Sequence, residues 1–166
     1  VVATLSPSMD IQVSSNFERL LFELNRRDGG LTAEQLQQFR ATGRLSIEAD
    51  QRAELLDGVF TAARLDDAET LDMIRRTYEV TGMLVDPHTA VAIGAAERAR
   101  PSIRGTIVTL ATAHPAKFPD AVEQATGIRP RLPTHLADLM ERTERFTELP
   151  NELAAVQGFV AANAHV

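Results

Sequence analysis

The chain of 166 residues sets 17 Lys and Arg against 23 Asp and Glu, a formal charge of −6 at pH 7, with 44% hydrophobic residues and no cysteine. That is the composition of an ordinary globular domain, and its acidic balance excludes an electrostatic footprint for nucleic acid while the missing cysteine excludes disulfides and thiolate metal sites. No run of about 18 apolar residues offers a membrane span, and with no secretory pattern at the start the cytoplasm is the default compartment.

Val1–Leu5 reads as a buried strand entered in mid-run, without an initiator Met, a polar leader or a capping signal. The chain is therefore expected to be a piece of something longer. Ser6–Asp10 is a turn-rich loop. Ser14 or Ser15 then caps a helix whose Phe17, Leu20, Leu21 and Leu24 recur at helical spacing, and Asp28-Gly29-Gly30 ends it. Thr32, with Gln35 three positions on, opens a second helix in a capping-box pattern, closed by Gly43. A polar helical stretch over 49–56 precedes a short strand over 59–65.

Asp66 or Asp67 caps the next helix, which carries Leu71, Ile74 and Tyr78 on one face and breaks at Gly82. Met83–Val85 reads as a short apolar strand. Asp86-Pro87 then starts a helix rich in small residues (Ala90, Ala92, Gly94, Ala95, Ala96), suited to close approach to a sheet. Thr106–Leu110, β-branched and apolar, is the clearest strand. The loop Ala111–His114 leads to Pro115 at the start of a helix running to about Gly127. Pro133 and Pro150 each introduce a further helix, the last with Leu153, Val156, Phe159 and Val160 on one side. Short apolar strands alternating with helical crossovers predict an α/β fold over residues 1–128 and a helical C-terminal extension over 129–166.

Chemistry concentrates in the strand–loop–helix Thr106–Phe118. In open parallel sheets, ligands gather where strands end and helices begin, and Thr112 and His114 occupy that position. The plainer reading is that Thr112 satisfies loop backbone groups and His114 caps the following helix. Asp86-Pro87-His88-Thr89 repeats the architecture, and by itself it is a helix-start signal, with His88 a surface or packing residue. The four histidines show no i, i+3 or i+4 pairing, so no metal site is expected. The serines lie in no Gly-x-Ser-x-Gly elbow, and Asp66-Asp67, Arg26-Arg27 and Arg75-Arg76 read as caps and solvated helix surface. Lys117 is the only lysine, the other sixteen basic residues being arginine.

Four stretches carry a resemblance: Ser6-Pro-Ser-Met-Asp10, Ser15-Asn-Phe-Glu-Arg19, Asp86-Pro-His-Thr-Ala-Val-Ala92 and Ala111-Thr-Ala-His-Pro-Ala-Lys-Phe118. In this order they resemble the C-terminal portion of bacterial threonine synthases, and the likeness runs over essentially the whole chain. The resemblance implies a part of the large three-layer α/β/α domain of a fold-type II enzyme that uses pyridoxal 5'-phosphate. It implies conversion of O-phospho-L-homoserine and water to L-threonine and phosphate. By the same resemblance, Thr112 hydrogen-bonds the pyridine nitrogen of the cofactor and His114 lines its pocket or fixes the loop. Asn16 and Arg19 sit near the substrate mouth, and Lys117 takes the family's second lysine position, facing a carboxylate or carrying charge near the site.

The family's Schiff-base lysine and its Gly-rich cofactor-phosphate loop belong to sequence upstream of the portion resembled here. Neither motif occurs in this chain, so the segment is expected to need the N-terminal half of the same enzyme and to be inactive alone. Two rivals remain at this stage: another lyase or deaminase of the same cofactor class, and a non-catalytic module built on the threonine synthase scaffold.

Overall fold

A computed structural model describes residues 2–11, 13–56 and 59–164. The described residues form seven α-helices and short 3-10 turns, without a β-strand. The helices are α1 (Ser15–Leu24), α2 (Gly29–Thr42), α3 (Ala49–Leu56), α4 (Asp67–Thr81), α5 (Pro87–Ala99), α6 (Pro119–Thr126) and α7 (Leu153–Asn163). None is long and apolar enough to cross a membrane. The chain divides into two compact units, Val1–Pro130 and Arg131–Val166.

The α/β expectation is overturned. Residues 83–85 and 106–110 have no strand partner among the described residues, and Val108 and Leu110 stand 78% and 70% exposed. β-branched composition favours an extended backbone, but a strand exists only when a neighbour completes its ladder of N–H and C=O groups. The same correction applies to 2–5 and to 59–65; Val1 lies outside the described residues.

The helix boundaries follow local chemistry. Ser14 Oγ accepts from the N–H of Phe17 at 3.5 Å and starts α1. Asp66 and Glu69 exchange reciprocal bonds of 2.9 Å in a capping box that starts α4, and Gly82, at φ 72°, ends it in the left-handed conformation that glycine adopts without strain. α2 opens earlier than expected. Asp28 caps it by accepting from Leu31 N–H at 2.9 Å, leaving Thr32 inside the first turn, where its hydroxyl donates to the Asp28 carbonyl. An aspartate one turn upstream outcompetes the threonine because its carboxylate accepts more strongly. The helix expected from Pro115 to Gly127 is interrupted. Pro115–Lys117 forms a 3-10 turn and α6 begins at Pro119, which cannot sit inside a continuous helix.

In the first unit, α4 packs against both α5 and α6. Met73, Ile74, Val85, Ala90 and Val122 form the buried cluster, with Leu65, Leu84, Ile93 and Ala125 packed on it. The small residues of α5 allow close approach to helix α4 and the segment before it, where a sheet had been expected. A Cβ at Gly94 would lie 2.5 Å from a methyl of Leu65. Earlier in the same unit α1 packs against α2, and Leu21 of α1 is fully buried. In the second unit, Pro133 introduces only the 3-10 turns Thr134–Leu136 and Leu139–Glu141, and α7 begins three residues after Pro150.

Candidate functional site

The N-terminus of α5 is built on Asp86, whose side chain has no exposed surface. As N-cap it accepts from the backbone N–H of Thr89 at 3.2 Å through Oδ1 and of His88 at 3.0 Å through Oδ2, with Pro87 at the first helical position where no N–H is needed. The Thr89 hydroxyl also donates to Oδ1, and His88 Nδ1 lies 2.8 Å from Oδ2. On the other side of the ring, His88 Nε2 accepts the Ser8 backbone N–H at 3.1 Å. An Nε2 that accepts places the ring proton on Nδ1, where it donates to Asp86. Phe118 packs on the same imidazole, ring centroids 4.7 Å apart at 53°. His88 is thus a buried connector, and the surface reading of this residue is corrected.

Thr89 also forms one wall of an open cleft of about 410 Å3, completed by residues 83–85 and by the loop Ala111–Pro115. Thr112 and His114 both line it. His114 Nδ1 accepts the N–H of Ala116 at 3.1 Å, so this side chain caps the 3-10 turn that follows as well as facing the cleft. Apolar residues, two threonines and one histidine make up the lining, with no acidic residue among the described residues that line it. The remaining residues singled out from sequence are not part of it. Asn16 and Arg19 lie exposed on the first turns of α1, where Arg19 Nη1 donates to Asn16 Oδ1 at 2.9 Å. Lys117 is exposed, its Nζ 5.8 Å from the centroid of the Phe118 ring.

Charge pairs that displace titrations lie elsewhere. Hydrogen bonds to Asp72 and Glu79 hold Arg75 above its ordinary value, and Glu123 and Asp120 do the same for Arg129. In the second unit the Arg142 guanidinium holds the Asp138 carboxyl below the usual carboxylate range.

Sequence reasoning missed Thr89 and Ser8. Thr89 was legible in principle, as the third residue after an aspartate N-cap. Ser8 carries no signal, because it contributes only a backbone N–H to a partner 80 residues away.

An open cleft of this size, lined by apolar residues, two threonines and a histidine, has the make-up of a small-molecule site. The family profile described as "Threonine synthase, C-terminal" matches residues 89–160. The chain is 53% identical over 163 residues to the threonine synthase of Pseudomonas aeruginosa, covering 98% of this chain and 34% of that relative. Among solved structures it is similar to a PLP-bound threonine synthase from Brucella melitensis, with a TM-score of 0.74 and 44% identity over 98% of this chain and 34% of that one. It is also similar to the yeast threonine synthase, with a TM-score of 0.72 and 32% identity over 97% of this chain and 36% of that one. The chain belongs to the threonine synthase family and corresponds to the C-terminal segment of its members. It spans about a third of the length of the curated relatives it matches.

Proposed function

We propose that the protein carrying this sequence is a pyridoxal-phosphate-dependent lyase that converts O-phospho-L-homoserine and water to L-threonine and phosphate. This segment supplies one wall of its cofactor cleft. The observation that carries the reading is the cleft itself, where Thr112 and His114, from the most distinctive motif of the sequence, meet Thr89.

The lining fits the cofactor. Its apolar walls suit an aromatic ring, and a lining without carboxylates does not repel a phosphorylated ligand. When bound, pyridoxal phosphate supplies the electron sink that stabilises negative charge on the substrate carbons. Thr112 holds the ring nitrogen by donating its hydroxyl. A neutral hydroxyl can donate to an unprotonated nitrogen but cannot hold a pyridinium as a carboxylate would. His114 fixes the loop that presents Thr112. Asn16, Arg19 and Lys117 serve the substrate, and the guanidinium of Arg19 suits a phosphate through charge-assisted bidentate bonds. The lysine that binds the cofactor covalently comes from another part of the enzyme, and Lys117 is not that residue.

The test is Thr112→Val in the full-length enzyme, followed through phosphate release with threonine as product and through the absorbance of the bound cofactor. Turnover should fall by about a hundredfold, near the lower end of what a lost catalytic hydrogen bond costs, with a shifted spectrum and recovery in Thr112→Ser. Unchanged activity and spectrum in the valine variant refute the assignment. Phosphate release that yields a product other than threonine refutes the reaction.

A further inference from the structure

In the most deeply buried polar cluster of the first unit, Thr89 lines the cleft, while Asp86 and His88 behind it have no role in the function proposed above. We propose that His88 is a positioning residue for the cleft. Through its Nδ1-protonated tautomer it holds the Ser6–Met9 turn against the N-terminus of α5. The proposal rests on the reading of the cleft as the cofactor site.

Three segments distant in sequence meet on this one imidazole. Ser8 N–H donates to Nε2, Asp86 accepts from Nδ1, and Phe118 covers the ring. Asp86 passes the constraint onward, because its other oxygen receives the Thr89 hydroxyl and backbone N–H, and Thr89 lines the cleft. With His88 5% exposed and Asp86 fully buried, water has little access to replace any of these bonds.

The turn on the other side is already closed on itself. The backbone N–H and hydroxyl of Thr4 donate to the Asp10 carboxylate at 2.7 and 2.9 Å. Leu5 N–H donates to Asp67 Oδ1 at 2.9 Å and ties the segment to the start of α4. What the His88 bond adds is placement against the N-terminus of α5, where the cleft wall begins. Five residues beyond that turn the chain enters α1, which carries Asn16 and Arg19. A purely helix-capping role would need only the Asp86 half of the network. The Ser8 half is what the proposal turns on.

Two substitutions separate the halves. In His88→Asn the amide nitrogen takes the place of Nδ1 and still donates to Asp86, but nothing accepts from Ser8. In His88→Gln the longer side chain brings its carbonyl oxygen toward the place of Nε2 and restores an acceptor. Both are made in the full-length enzyme and read by hydrogen exchange of the peptide containing Ser8 and by kcat and KM for O-phosphohomoserine. Solid-state NMR of the 15N-histidine-labelled wild type reads the tautomer.

The expected results are a proton on Nδ1 and, in His88→Asn, about tenfold faster exchange at Ser8 with KM raised about tenfold and kcat little changed. That is the factor a single buried hydrogen bond is worth. His88→Gln should recover both to within about twofold. A proton on Nε2, equal Ser8 exchange in the two variants, or a normal KM in a His88→Asn enzyme that has lost Ser8 protection each overturns the proposal. Tautomer and exchange are read without turnover, so a wrong cleft assignment leaves them unchanged, whereas a wrong role for His88 shows in them directly.

Discussion

Asp86 Oδ1 accepts both the backbone N–H and the hydroxyl of Thr89, three residues on, with no solvent at the carboxylate. One side chain therefore starts α5, fixes a wall of the cleft and orients His88. Asp86→Ala removes the cap, worth about 1 kcal/mol, and leaves the His88 ring N–H and the Thr89 hydroxyl buried without an acceptor, at about 1–3 kcal/mol each. A loss of at least about 3 kcal/mol in urea unfolding is expected, and a smaller one of about 1–3 kcal/mol for Asp86→Asn, whose amide oxygen keeps the acceptor for Thr89 while its NH2 faces the His88 donors. An alanine variant as stable as the asparagine one contradicts the shared-acceptor arrangement.

A second buried polar junction ties the first three helices. Asn25, 5% exposed, donates to Thr32 Oγ1 at 3.0 Å and Gln35 Oε1 at 2.7 Å, and accepts from Gln51 Nε2 at 2.9 Å. Asn25→Ala should cost about 2 kcal/mol, because Thr32 and Gln35 lose a donor where water has little access. Gln51→Ala, at the more open end, should cost under about 1 kcal/mol. Thermal unfolding of the two variants checks the order, and the reverse order would place the buried bond wrongly.

Leu65 lies over Gly94, leaving no ordinary room for a Cβ. Ala is the better helix former by about 1 kcal/mol, yet Gly94→Ala must displace the leucine. In a Leu65→Ala background the same change should stabilise by about 1 kcal/mol, and in the native background it should gain nothing. Denaturation of the four variants of this cycle measures the coupling, and additive effects would contradict the close packing.

The Asp138–Arg142 pair gives a pH dependence with a definite sign. Hydrogen bonding to Arg142 lowers the Asp138 pKa in the folded chain, so the ionised form is favoured by folding. Its contribution is complete above the unfolded aspartate value, about 3.9, and is lost as the pH falls through the lower folded value. The carboxyl titration of Asp138 followed by 13C NMR should have its midpoint below that of a free aspartate, and Arg142→Gln should bring it back up. An unshifted midpoint in the native chain would mean that the pair does not persist in solution.

Local chemistry made much of the helical framework legible. Ser14, Asp66 and Asp86 announce helix starts through side-chain acceptors, and Gly43, Gly82 and Gly127 announce ends through left-handed backbone. The strands misled because Thr106–Leu110 reports only a preference for extension, while a sheet depends on partners that composition does not reveal. That Thr112 and His114 line the same cleft follows from their place in one short loop, since a loop between an extended run and a Pro-started turn keeps its neighbours together. The Ser8–His88 link could not, since a backbone donor has no residue signature and its acceptor lies 80 positions away.

The central claim is that this segment shapes the cofactor cleft while the covalent lysine lies elsewhere in the enzyme. The most direct measurement is borohydride reduction of the full-length enzyme with pyridoxal phosphate, followed by peptide mapping of the adduct. The single lysine of this segment makes the assignment unambiguous. The account predicts a stoichiometric adduct on a lysine outside these 166 residues, with Lys117 unmodified. A saturable adduct on Lys117, abolished in Lys117→Arg, would contradict it.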